Sequence, residues 1–136
     1  MPVTYVPISI SDAATYTVLA ENSGLTHIIP NLTADIVITL PTAVAGLEYT
    51  FIYGGVAADA QDWSIQTGSD TNFYLGGVHH SDVDGGTQAA VSGNGSDDAN
   101  LSVLTPEEGT RIHLVCDGTN WILSGTVASV TVPAFS

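Results

Sequence analysis

Lysine is missing from this chain of 136 residues, and the one fixed cation is Arg111. Nucleic-acid binding needs clustered Lys and Arg to neutralise phosphates, so the composition excludes it. Attraction to an anionic membrane surface is excluded for the same reason. Cysteine is as scarce. Cys116 stands alone, so no intrachain disulfide can form, and its apolar run makes it a small core residue. No apolar run approaches the ~18 residues that cross a bilayer. The N-terminus has neither the basic nor the apolar region of a signal peptide, so synthesis in a cytoplasm without secretion is expected. Catalytic signatures are missing too: no Gly-x-Ser-x-Gly elbow, no phosphate loop ending in Gly-Lys-Ser or Gly-Lys-Thr, and no zinc-type His or Cys spacing. No catalytic residue, cofactor or metal ligand is assigned, and the chain is not expected to be an enzyme.

What is present is acidic and apolar. Fourteen Asp and Glu give a formal charge of −13, while apolar residues make up 44% of the chain. The length suits one domain with a core that needs no staples. The charge keeps the chain soluble and self-repelling. The partners it leaves open are a basic surface, a neutral sugar, a metal cation or an apolar patch.

Helical periodicity is nearly absent. Alternating β-branched residues, punctuated by Gly, Pro, Asn and Asp, predict an all-β fold. The expected architecture is an antiparallel β-sandwich or barrel, jelly-roll-like, of about 8–10 short strands. Residues 1–11 read as an N-terminal arm or edge strand, because Pro7 interrupts any central ladder, and residues 12–136 as a single all-β domain. Strands are expected at 15–20, 25–29, 35–40, 47–53, 62–66, 72–75, 87–92, 100–104, 111–116 and 120–125. A last one is expected at 126–132, with Ala128, Val130 and Val132 on one face. Residues 76–98 hold six Gly and four Asp and are expected to be long loops around strand 87–92.

The candidate sites are few. Asp82 and Asp84, with Asn94, Ser96, Asp97 and Asp98, supply the oxygen ligands and glycines that calcium uses, but the spacing of the helix-loop-helix calcium motif is missing, and a solvated loop explains them better. His79 and His80 are neighbours on an extended chain, which points them to opposite faces and keeps one metal from taking both. Trp63, Trp121, Tyr49, Phe51 and Tyr53 read as core, while Tyr5, Tyr16, Phe73 and Tyr74 are free to serve an interface. Arg111 is expected to pair with Glu107, Glu108 or Asp117.

Two stretches carry a resemblance. One runs through Tyr16-Thr17-Val18-Leu19, Ser23-Gly24-Leu25, Ile38-Thr39-Leu40-Pro41, Ala45-Gly46 and Tyr49-Thr50-Phe51. The other is Gly109 to Leu114, then Asp117-Gly118-Thr119-Asn120-Trp121 and Ser124-Gly125. In this order they resemble β-modules of tailed-phage virions, found as head decoration (cement) proteins and in tail fibres. The resemblance covers most of residues 15–125. It implies a viral structural protein on the capsid surface, a homotrimer that bridges subunits of the major capsid protein. The alternative is a tail-associated or carbohydrate-binding receptor-recognition module. Pro2, Val3, Tyr5, Val6 and Ile8, in the polar-poor N-terminal segment, are the expected capsid or subunit contacts.

Overall fold

The computed structural model describes residues 6–56 and 60–136. Among them are twelve strands: β1 (Ile8–Ser9), β2 (Thr15–Thr17), β3 (Thr26–Ile29), β4 (Ile36–Thr39), β5 (Glu48–Tyr53), β6 (Trp63–Gln66), β7 (Tyr74–Ser81), β8 (Gln88–Asn94), β9 (Asn100–Val103), β10 (Arg111–Cys116), β11 (Trp121–Ala128) and β12 (Ala134–Phe135). The only helix among these residues is one 3-10 turn, Ala20–Asn22. The strands form two open sheets, ordered β1-β3-β5-β10-β11-β7-β8 and β12-β9-β6-β4-β2, and neither closes into a barrel.

Alternation builds the core. Tyr49, Phe51 and Tyr53 of β5, Ile112, Leu114 and Cys116 of β10, and Trp121 and Leu123 of β11 point inward from the larger sheet. Ile36 and Ile38 of β4, Trp63 and Ile65 of β6, and Leu101 and Val103 of β9 meet them from the smaller one. The period of two puts every second side chain into one shared layer. Tyr74 ties the layers together: its hydroxyl donates to the carbonyl of Ile65 at 2.9 Å, fully buried.

The sandwich matches expectation and the ladders do not. The pairs β1–β3, β3–β5, β2–β4, β4–β6 and β7–β11 are parallel. The reason lies in the order of the chain. From β1 to β6 each successive strand crosses to the other sheet, so strands two apart in sequence become neighbours running the same way. The turns at 21–24 and 41–46 are therefore corners between sheets. Only β7–β8 and β10–β11 are hairpins of consecutive strands.

Two further expectations change. Gly76 to Ser81 is not loop but the body of β7, paired with β11 on one side and β8 on the other. Its glycine fits a tight spot: Gly76 has φ +77°, and a Cβ there would lie 2.4 Å from the carbonyl oxygen of Leu123. Residues 126–128 extend β11 instead of starting a new strand, and Val130 and Val132 are exposed. The last strand is β12, antiparallel to β9.

Candidate functional site: a loop groove and a free sheet edge

The expected contact residues fall mostly beyond view or into the protein's own sheet. Pro2, Val3 and Tyr5 lie outside the described residues. Val6 is 77% exposed. Ile8 is half-buried, in register with His27, as part of an edge strand beside β3. The backbone N–H of Ile10 continues that contact to the carbonyl of Ile28 at 2.9 Å, and the Asp12 carboxylate accepts from the backbone N–H and hydroxyl of Thr33. From Ile8 onward the segment is fastened to its own domain, which leaves Val6 as the exposed described member of the expected set.

The Asp-rich segment does not converge on one cation. The strands of the β7–β8 hairpin hold its two acidic clusters apart, by about 20 Å for strands of this length. Asp82 and Asp84 sit at the turn, Asp97 and Asp98 beyond the far end of β8. The carboxylates serve the loops themselves. Asp82 accepts from the Gly85 N–H at 2.8 Å, Asp98 from the Asn94 N–H at 2.7 Å, and Asp97 from the Asn94 side-chain amide. No group of three or more His, Cys, Asp or Glu able to hold a metal occurs among the described residues.

The histidines divide as alternation requires: His79 is exposed and His80 fully buried. The His80 Nε2 lies 2.9 Å from the Ser129 carbonyl, which fixes it as the protonated nitrogen. Arg111 is exposed and forms no ion pair among the described residues. Glu107, one of its expected partners, is buried instead and accepts the Val83 N–H at 3.0 Å. Tyr74, expected to be free for an interface, is wholly in the core, where burial pushes its phenol far above the ordinary tyrosine range.

Two surface features remain. The first is an open groove of about 690 Å³ at the end of the sandwich where loops 67–73 and 95–99 meet, lined by Gln66, Asp70, Phe73, Ser96, Asp97 and Asn100 among others. The turn Asp117-Gly118-Thr119-Asn120 does not line the groove itself but supports one residue that does, Phe73. The Asp117 carboxylate accepts the N–H groups of Asn120 and Thr119 at 2.7 and 2.8 Å, and these bonds hold its pKa below the usual carboxylate value. The turn is tied to the loop that carries Phe73. The Asn120 side-chain oxygen accepts the Phe73 N–H at 3.0 Å, and the Asn72 side-chain amide donates to the Thr119 carbonyl at 2.7 Å. Sequence reasoning placed this motif in a hairpin turn and missed that it positions Phe73, because the contact spans 47 residues.

The second feature is the free edge of β8 at the end of the seven-stranded sheet. Gln88-Ala89-Ala90-Val91-Ser92-Gly93-Asn94 contains no charge and no proline. From Gln88 to Gly93 its backbone bonds only to β7 among the described residues, apart from the Asp82 N–H that the neighbouring Thr87 accepts. Compared with known proteins, the chain matches no family model and no curated protein.

Proposed function

We propose that this chain is a viral structural protein, a capsid decoration (cement) protein that binds the outer surface of a phage head and stabilises it by bridging subunits of the major capsid protein. The observation that carries the reading is the β8 edge. Sheet edges are ordinarily blunted by charge, proline or shortness, because unpaired N–H and C=O groups recruit other strands. This chain has fourteen acids to spend and places none of them on the seven residues of β8. Such an edge suits β-augmentation, in which main-chain hydrogen bonds to a partner strand supply affinity with little demand on side-chain chemistry. The resemblance to phage virion modules supplies the partner and the homotrimeric state. The two resembling stretches contribute to β2, β4, β5, β10 and β11 and leave out β8, so the contact surface is expected outside them.

Co-sedimentation with undecorated capsids tests the reading. Wild-type protein should pellet with the capsids and raise the temperature at which they release DNA. Ala90→Lys, which puts a charge on an exposed β8 position, should fold normally and lose binding by about tenfold or more, the effect of removing ~1.4 kcal/mol. Capsids that neither bind nor gain heat resistance would overturn the proposal. Full binding by Ala90→Lys would remove β8 from it.

A further inference from the structure

The groove at the end of the sandwich is a recessed surface that the decoration role does not use. Phe73 is half-buried on its wall, yet it is not among the side chains packed against the core, and its ring meets no other aromatic among the described residues. Its neighbour Tyr74 takes the core position instead. An aromatic held by backbone bonds at a groove wall, and not consumed by the core, is available as an apolar platform.

Around it stand planar polar groups. The Asp70 carboxylate is exposed and makes no hydrogen bond or ion pair among the described residues. Gln66 and Asn100 each use one side-chain amide donor on a neighbour, Thr39 at 2.9 Å and Ser102 at 2.8 Å, which fixes their planes and leaves their side-chain oxygens without a partner among the described residues. Ser96 and Asp97 line the same groove, their side chains each bonded to the Asn94 side chain, and the second carboxylate oxygen of Asp97 has no partner among the described residues. A second concavity of about 350 Å³ shares Gly68, Ser69 and Asp70 with the first, so the 68–70 loop has recessed surface on both sides.

The chemistry of this set selects a ligand class. Carboxylates and amide oxygens accept hydrogen bonds, and an aromatic face covers C–H surface. Vicinal hydroxyls supply the donors, and the face of a pyranose ring supplies the C–H surface. An anion is repelled by Asp70 and Asp97 with no cation lining the groove. Among the described residues no cluster of three His, Cys, Asp or Glu stands there to hold a metal ion. We propose that the groove between loops 67–73 and 95–99 is a binding site for a neutral oligosaccharide, with Phe73 stacking on one sugar ring and Asp70 and Asp97 accepting from its hydroxyls. The proposal is tested separately from capsid decoration, since Ala90 of β8 does not line the groove and Phe73 and Asp70 do not lie on β8, so either binding can fail alone.

Amide NMR spectra of the ¹⁵N-labelled chain test it, with maltohexaose, cellohexaose and N-acetylchitotetraose as probes. At least one probe should shift the amides of residues 68–73 and 96–100, with affinity in the millimolar range that open sites reach, about −4 kcal/mol. Phe73→Ala and Asp70→Ala should each weaken that binding about tenfold, and Phe73→Tyr should retain it. The Asp70 side chain makes no bond among the described residues, so Asp70→Ala reports binding even if Phe73→Ala fails to fold. Polygalacturonate should leave the same amides unmoved. No shift with any neutral probe at about 10 mM, well above a millimolar dissociation constant, would overturn the proposal. So would shifts confined to other residues, unchanged binding by Asp70→Ala, or stronger binding of the polyanion.

Discussion

His27 shows how far a single side chain can depart from what its letter suggests. In sequence it is an isolated histidine. In the fold its ring is fully buried in an aromatic box, with Phe51, Tyr49 and Tyr16 at ring-centre distances of 5.3, 5.7 and 6.1 Å. Its Nδ1 lies 3.3 Å from the Leu25 carbonyl, and its Nε2 has no partner among the described residues. Burial disfavours the charged ring and lowers the pKa, and the Leu25 bond opposes this only in part. The unfolded chain, with a histidine pKa of about 6.5, then binds a proton that the folded state refuses. Stability is full above that value, falls as pH drops below it, and levels off once pH passes the lowered folded-state pKa. Urea midpoints measured from pH 8 to pH 5 should fall over this window, and His27→Phe should flatten the fall. An equal slope in the variant would place the effect elsewhere.

At the scale of the element, β7 teaches the most. Its composition, rich in glycine beside two histidines and an aspartate-bearing turn, has the look of loop. Propensity argues against a strand because glycine carries no side chain to pack and costs backbone entropy. The tertiary contact reverses the argument. β7 lies between β11 and β8, and at Gly76 the backbone approaches Leu123 too closely for any Cβ. Gly76→Ala should therefore cost the ~1–2 kcal/mol of a left-handed backbone plus a main-chain clash, seen as a large fall in the urea midpoint. Gly86→Ala is the control. Its φ of +73° is nearly the same, but its added Cβ meets nothing within 4 Å, so only the backbone cost should appear. Equal losses in the two variants would refute the close-packing account of β7.

The whole molecule is governed by its charge. With a net charge of −13 and one Arg that pairs with nothing among the described residues, the folded state carries acid repulsion with little internal compensation. The one contact of this kind among those residues, His113 Nε2 at 3.5 Å from the Glu48 carboxylate, is an ion pair only when the imidazole carries a proton, and it is exposed and worth little. Melting temperature at pH 7 should rise as salt increases from about 10 to 150 mM, where the screening length falls from ~30 to ~8 Å. A melting temperature independent of salt would mean that the acids are too far apart to matter. The same repulsion bears on assembly. In the proposed decoration role, contacts between copies or with an acidic surface would have to be made where charge is sparse, and β8 is such a place.

The sequence by itself determined the all-β class, the core placement of Tyr49, Phe51, Tyr53, Trp63, Cys116 and Trp121, and the opposite facing of His79 and His80. Each follows from a period of two and from local turn chemistry, which are properties of adjacent residues. The tertiary structure alone decided which strands are neighbours, that half of the ladders run parallel, that Gly76–Ser81 is a strand, and that Tyr74 is core while Phe73 is groove wall. Those depend on contacts between segments far apart in the chain. Alternation marks the face a residue takes but not the sheet its strand joins, and a turn that closes a hairpin reads the same as one that carries the chain across the sandwich.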